Sequence, residues 1–163
     1  LQDALRLPRR PEVIECFDIS HLAGTSTVGS MVQFRGGRPD KSNYRRFKIR
    51  SVEGIDDYAS IAEVVRRRYA RLKDEGQELP DLIIVDGGRG QLSSAQVQLR
   101  ELRLRIPVIS IAKDEEEIYV PGSSQPLPLK KDEKASLFIQ EIRDEAHRFA
   151  IAYNRLLRKK AMN

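Results

Sequence analysis

The chain has little sulfur and few aromatic side chains: it contains one cysteine, no tryptophan and 6% aromatic residues in 163 positions. A lone cysteine, Cys16, excludes a disulfide framework and leaves no spacing typical of a zinc site. No apolar run is long enough to span a bilayer, and the N-terminus lacks the apolar core of a signal peptide. These absences predict a protein of a reducing, cytoplasmic setting with no membrane partner.

The length and the composition predict a single domain. A hydrophobic content of 40% in 163 residues is enough for one real core and too little for two. Residues 1–11 hold two prolines and three arginines without a periodic pattern, so we interpret them as a linker and place the domain at 12–160. The abrupt start at Leu1 and the basic end suggest a piece of a longer protein.

The stretch from Leu82 to Leu92 is the most informative one in the chain. Leu82 to Val85 are four apolar residues typical of a strand buried on both faces, and the strand ends on Asp86. Three glycines within the next four residues allow a sharp turn before helical spacing resumes over 91–104. Such a strand-to-helix crevice is where open α/β sheets bind ligands.

Two alternatives exist for this stretch. Asp followed by Gly-Gly is also ordinary turn and helix-capping chemistry. Nucleotide binding through Gly87 to Gly90 is the weaker alternative, because Ser93 replaces the third glycine of the dinucleotide fingerprint and no Gly-Lys-Ser/Thr follows.

The periodicities elsewhere predict an α/β fold. Apolar residues with strand spacing occur over 12–21, 28–35 and 44–52, which suggests three antiparallel strands in a meander. A helix over 56–74, the strand over 82–86, the helix over 91–104, a strand over 107–111, a hairpin of 118–120 with 127–129 and a long helix over 133–160 follow. We therefore expect a mixed five-stranded sheet, three antiparallel strands then two parallel, flanked by helices.

Asp18 lies within the first predicted strand, on the face that carries Ile14 and Cys16. A carboxylate there is expensive to bury unless it is paired, hydrogen-bonded or metal-bound. If the strand that ends on Asp86 lies parallel to the first strand and beside it, the two acids converge on a site for a hard divalent cation. Such a metal can activate water for attack on a phosphodiester. The alternative is that both acids are structural.

Positive charge is concentrated between Gln33 and Arg50. This segment has seven basic residues and one acid, Asp40, with Tyr44 and Phe47 interleaved. Six net charges on one short hairpin exceed what solubility requires, and phosphate contacts use such groups. A solvated hairpin face is the alternative interpretation.

Other polar residues allow ordinary interpretations. Asp56 and Asp57 open a helix, where acids cap the first turn or interact with the helix dipole. His147 lies at the border of the apolar stripe of the last helix, in line with Arg143 and Asn154. A lone helical histidine is most often a half-exposed or packing residue. Lys113 follows a buried strand directly and is a candidate for a polar role at the strand end.

Several long motifs together resemble a known family. They are Asp18-Ile19-Ser20-His21, the strand from Tyr44 to Ile49, Asp57-Tyr58, the stretch from Leu82 to Leu92 and the run from Ile142 to Ala150. In this order they resemble the C-terminal endonuclease domain of the UvrC family, the nuclease of bacterial nucleotide excision repair. The resemblance extends over roughly Pro11 to Lys160.

The resemblance implies an RNase H-like fold and a metal-dependent endodeoxyribonuclease that cuts 5′ of a lesion, leaving a 3′-hydroxyl and a 5′-phosphate. It makes Asp18, Asp86 and His147 the catalytic triad and the ligands of Mg²⁺ or Mn²⁺, with Asp57 as an accessory acid. His147 then either completes the metal shell or moves a proton. The rival is a non-catalytic DNA-binding module of the same fold. The expected DNA contacts are Lys41, Tyr44, Arg45, Arg46, Lys48, Arg89 and Lys113.

The resemblance also implies partners, and the chain differs from the family pattern at two positions. Besides DNA, the partners are UvrB, bound through segments missing from this chain, and the UvrA–UvrB damage-recognition system. Because aromatic residues are few and mostly predicted in the core, lesion recognition is expected from those partners. Arg89 stands where the family commonly has lysine, which keeps the charge, and Asn154 stands where it commonly has histidine.

Overall fold

The computed structural model describes residues 1–22, 26–52 and 54–162. Residues 23–25, where a turn containing Gly24 is expected between the first two predicted strands, therefore lie outside the described residues. Within the described parts of the chain, no helix has the length and apolarity needed to cross a membrane.

The chain forms four helices and seven strands over its described residues. The helices are α1 (Gln2–Leu5), α2 (Asp57–Asp74), α3 (Arg89–Glu101) and α4 (Lys134–Met162), and one 3-10 turn covers Lys41–Asn43. The strands are β1 (Val13–His21), β2 (Thr27–Arg35), β3 (Arg38–Pro39), β4 (Arg45–Lys48), β5 (Leu82–Asp86), β6 (Val108–Ala112) and β7 (Glu117–Tyr119).

All seven strands belong to one mixed sheet. Its order is β3-β2-β1-β5-β6-β7, and β4 pairs with β2 beside β3. The central pairs β1–β5 and β5–β6 are parallel, and the pairs β1–β2, β2–β4 and β6–β7 are antiparallel. The predicted mixed α/β sheet is confirmed, with the short strand β3 added to the five predicted strands and with β7, which falls on the first arm of the predicted hairpin, joined to the sheet edge.

Three local predictions differ from the structure. The segment 1–11 was expected to be a linker, yet it contains α1, whose Leu5 is buried against the sheet. The predicted hairpin of 118–120 with 127–129 was wrong, because β7 pairs with β6 and Leu127 adds only one bond, from its N–H to the Ile118 carbonyl. The third strand ends at Lys48 rather than Val52: the Ile49 N–H still donates to the Thr27 carbonyl, but the Glu63 carboxylate of α2 accepts the N–H groups of Arg50 and Ser51.

Two apolar layers cover the two faces of the sheet. On one face α4 packs through Ile139 and Ile142 on the side chains of Ile14 and Cys16. On the other face α2 and α3 pack on Phe17 and its neighbours. The β1 strand is therefore buried on both faces, as its nearly unbroken apolar pattern predicts.

A buried carboxylate on the α2 face was not identified from the sequence. Glu15 is 1% exposed, and it pairs with Arg68 at 2.7 Å. Its two oxygens also accept hydrogen bonds from the Gln33 amide at 2.7 Å and the Tyr69 hydroxyl at 2.8 Å. Because every bond that the carboxylate needs is supplied by neighbouring side chains, this cluster holds β1, β2 and α2 together.

We predict that Arg68→Ala lowers the free energy of unfolding by about 3 kcal/mol, because it leaves the Glu15 charge buried without its cation. Urea denaturation measures the change. Arg71→Ala is the matched control: Arg71 is a surface residue of the same helix that pairs with Glu75, and its loss should cost less than about 1 kcal/mol. Equal losses in the two variants would contradict the structural role given to Glu15.

Candidate active site

The pairing of β1 with β5 brings two acids together. The two strands are parallel neighbours, and Phe17 lies opposite Val85. One position further along, Asp18 and Asp86 stand side by side, both on the face covered by α4. The adjacency that the sequence analysis required of these two strands is confirmed.

Burial of both carboxyls, and for Asp86 the negative charge of Asp18, disfavour ionisation of this pair. Burial raises the pKa of Asp18, and a hydrogen bond with His147 partly offsets that effect. Burial, followed by the negative charge of Asp18, raises the pKa of Asp86 to about 6. Among the described residues, the buried Oδ1 of Asp86 has no hydrogen-bond partner. The positive charges and hydrogen-bond donors around the two carboxylates therefore do not offset the cost of ionising them.

His147 reaches the pair from α4. Its Nδ1 lies 3.2 Å from Oδ2 of Asp18, while 52% of its side chain is exposed. Ile142 and Ala146, both fully buried, fix the neighbouring turn of α4 on the sheet. The histidine is therefore half-exposed, as a lone helical histidine commonly is, and it also contacts a buried acid.

A cavity of about 280 Å³ opens at the carboxyl ends of β5 and β6. Asp18, Asp57, Asp86 and Lys113 line it. The positive charge of Lys113 acts on both acids of the pair and lowers their pKa values in part. Of the predicted catalytic residues, three acids therefore share one cavity, and the fourth residue, His147, contacts Asp18.

The structure separates the roles of the two acids at the start of α2. Asp56 is the N-cap, and its Oδ1 accepts a hydrogen bond from the Ala59 N–H at 3.0 Å. Asp57 instead lies 2.7 Å from Nε2 of His21, whose Nδ1 is 3.1 Å from the Thr27 hydroxyl. His21 ends the motif that begins with Asp18, and its role was not predicted from the sequence. Here it orients the carboxylate of Asp57.

The glycines after β5 are required by packing. A Cβ on Gly87, which has φ +146°, would lie 2.6 Å from the Gln91 side chain, and a Cβ on Gly90 would collide with the Tyr58 ring. The Gly88 N–H donates to Oε1 of Gln91 at 3.0 Å. Because protein side chains fill the space beside these backbone groups, the turn lacks the open cradle of a nucleotide-binding loop.

The predicted DNA contacts do not form one surface. Along β4, Tyr44 and Arg46 face α4: the Tyr44 hydroxyl donates to Glu145 at 2.7 Å, and the Arg46 guanidinium stacks 3.7 Å above the Phe149 ring. Arg45 lies on the opposite face, beside Phe47 in a groove along α2. None of the predicted β4 contacts lines the acid cavity. Lys41, Lys48, Arg89 and Lys113 are exposed.

Arg143 was named from the sequence only as a polar neighbour in the row of His147. It is 9% exposed, one turn before His147 on α4, and it pairs with Glu116 at 2.8 Å and with Asp144 at 2.8 Å. Its positive charge lowers the pKa of Asp86. The available signal was its position, since it shares the border of the apolar stripe with His147.

These residues can hold a metal ion only in an open site, which is a site not enclosed by protein ligands. Within the described ranges, no three His, Cys, Asp or Glu side chains are grouped as a ready metal cage. Two carboxylates with an unpartnered oxygen, next to a cavity, nevertheless offer the hard donors that a divalent cation prefers.

Comparison with known proteins gives the family. A family model described as the UvrC RNase H endonuclease domain matches residues 2–151. The chain belongs to this family. The RNase H-like fold and the family resemblance expected from the motifs are both confirmed.

Relatives of the UvrC RNase H endonuclease family are much longer than this chain. UvrABC system protein C of Methanosarcina mazei is 77% identical over 162 residues, which is 99% of this chain and 31% of the relative. The protein of the same name from Prosthecochloris aestuarii is 54% identical over 160 residues, which is 98% of this chain and 26% of the relative. The chain thus spans about a third or less of these relatives. The crystal structure of human ENDOV matches 70% of this chain at 14% identity, with a TM-score of 0.48.

We predict that Asp86→Asn stabilises the metal-free protein at pH 7 by about 1 to 2 kcal/mol, because the parent must hold an ionised, partly buried carboxylate beside Asp18. A raised carboxyl pKa means that the folded parent loses stability as the pH rises from about 4 to above about 6. Urea denaturation in EDTA at pH 4 and pH 7 tests this. The advantage of the variant should be absent at pH 4, and an equal advantage at both pH values would contradict the electrostatic cause.

Proposed function

We propose that this domain hydrolyses DNA phosphodiester bonds with a divalent cation, and that its parent protein uses it for the 5′ incision of nucleotide excision repair. The observation that carries the proposal is the side-by-side placement of Asp18 and Asp86 at the carboxyl edge of the sheet. Membership of an endonuclease-domain family supports it. The products would be a 3′-hydroxyl and a 5′-phosphate.

The residues at this edge fit a hard cation such as Mg²⁺ or Mn²⁺. Among the described residues, the buried Oδ1 of Asp86 has no hydrogen-bond partner, and repulsion from Asp18 disfavours the ionised form of Asp86, so both carboxylates gain from a cation. Asp18 and Asp86 would hold it, with His147 as the third ligand or as a proton carrier. When bound, the cation supplies Lewis acidity and lowers the pKa of a coordinated water.

The other side chains of the cavity would position the substrate. Asp57, fixed by His21, would act as the accessory acid on the α2 side of the cavity, orienting water or an additional cation. Lys113 would place a positive charge beside the scissile phosphate. Arg89, exposed at the first turn of α3, would contact a phosphate further along the strand.

We predict that Asp18→Asn lowers the nicking rate roughly a thousandfold or more, a loss of at least about 4 kcal/mol in transition-state stabilisation. Duplex affinity should stay within about threefold of the parent, since the substitution removes no cation from the surface. Nicking of a labelled duplex with Mn²⁺ and a parallel binding titration measure the two quantities.

The control for this experiment is Asp74→Asn, which changes an exposed acid at the far end of α2. It should cut at the parent's rate. If Asp18→Asn cut as fast as the control, the alternative of a non-catalytic DNA-binding module would be supported instead.

We further propose that DNA runs along the α4 side of the acid edge. Lys48 lies on that side of β4 by strand alternation, in line with Val28 and Ser20 near the end of β1. Tyr44 and Arg46 would support the path through their contacts with α4, and Lys41 would meet the backbone beyond them. Arg45 points to the other face and would contribute less.

This path predicts different effects for two neutralising variants. Lys48→Gln should flatten the plot of log affinity against log salt by about one unit, which is the loss of one phosphate contact. Arg45→Gln is the matched control and should leave the slope unchanged. Salt titrations with one undamaged duplex give both slopes, and a larger change for Arg45→Gln would place the DNA on the α2 side.

We propose that the partners and the lesion specificity come from outside this chain. The relatives are more than three times longer and carry the name UvrABC system protein C, which supports UvrB and the UvrA–UvrB system as partners. Few exposed aromatic rings are available here to stack on a damaged base. The cytoplasm is the proposed location, in keeping with a buried, free Cys16.

A further inference from the structure

A second groove of the described chain lies away from the acid cavity. It has a volume of about 610 Å³ and is formed by α1, the end of α3, the start of β6 and the residues after β7. The acid cavity lies at the opposite, carboxyl ends of β5 and β6. The proposed nuclease function therefore makes no use of this groove.

The groove has an apolar floor and a basic rim. Leu104 and Val120 are among the partly buried apolar residues that line it. Four arginines stand at the rim, and the lining contains no acidic side chain. The four arginines are Arg6, Arg100, Arg103 and Arg105.

These four arginines differ from several others on the surface, which pair with acids. Arg35, Arg66 and Arg71 each pair with a glutamate within 3.1 Å. None of the four rim arginines has such a partner within the parts of the chain that the structure describes. Four positive charges without an acidic partner among the described residues therefore surround an apolar surface here, and an interface combines these two features.

Two of the rim arginines occupy costly backbone positions. Arg6 has φ +53° and Arg103 has φ +60°, at the points where α1 and α3 end. Glycine adopts this left-handed conformation freely, whereas a residue with a Cβ pays roughly 1 kcal/mol. The chain thus carries two long cationic side chains at positions where glycine would be the more stable choice.

We propose that this groove binds a segment of a partner protein that is both acidic and apolar, with its apolar side chains on the floor and its carboxylates against the rim. The basic rim complements carboxylates in charge, and the apolar floor favours the apolar side chains of a protein. A DNA backbone would satisfy the arginines and would leave Leu104 and Val120 without an apolar contact.

The test uses the double variant Arg6→Gly/Arg103→Gly. Each substitution removes a guanidinium and relieves a left-handed backbone, so the fold should keep its stability, which urea denaturation checks. Peptides are selected on the parent chain from a random displayed library, synthesised with a fluorescent label and titrated by anisotropy against both proteins. Arg38→Ala, an exposed arginine of β3, is the control.

The expected selection is enriched in Asp and Glu together with Leu, Ile or Phe. The double variant should weaken peptide binding at least tenfold, while Arg38→Ala stays within twofold and nicking by the double variant equals that of the parent. The proposal is overturned if the selected peptides lack acidic residues or bind the double variant as tightly as the parent. A tenfold loss of duplex affinity in the double variant would assign the groove to DNA and overturn it as well.

Discussion

The parallel pairing of β1 with β5 is the constraint on which the site depends. It forces two carboxylates into adjacent positions at one edge of the sheet. Parallel strands need a connection across the sheet, and α2 supplies it by packing on the face opposite α4. Because α2 runs back to the start of β5, its own first turn lies at the carboxyl edge, which is why Asp57 reaches the same cavity as Asp18 and Asp86.

Two buried acids of one strand have different surroundings. Glu15 and Asp18 are three residues apart on opposite faces of β1, and both are buried. Glu15 receives bonds from an arginine, a tyrosine and a glutamine, so its charge is fully compensated. Asp18 faces the negative charge of Asp86, whose Oδ1 has no partner among the described residues. Only the second arrangement leaves a demand for a cation.

The sheet edge that carries Asp18 and Asp86 could be predicted from the sequence because each signal for it depends only on neighbouring residues. Four apolar residues before Asp86, three glycines after it and an acid within an apolar strand each follow from burial and backbone freedom. The burial of Glu15 was not predicted, because glutamate is seldom fully buried and its partner Arg68 comes close only in the folded chain. The separate roles of Asp56 and Asp57 depend on His21, 36 positions away from Asp57, which no local pattern reveals.

The number of basic residues in a segment does not show which face of the fold each of them occupies. Seven cations on the predicted hairpin suggested one phosphate-binding face, yet strand alternation sends Arg45 to the α2 side, and Arg46 stacks on Phe149 of α4. Meanwhile Arg6, Arg103 and Arg105, which no motif distinguished, converge from distant parts of the chain on one groove without acids. The fold thus separates the edge that carries Asp18 and Asp86 from the groove that carries the rim arginines. Since β5 and β6 run between the two, a partner in the groove would leave the acid edge open to DNA.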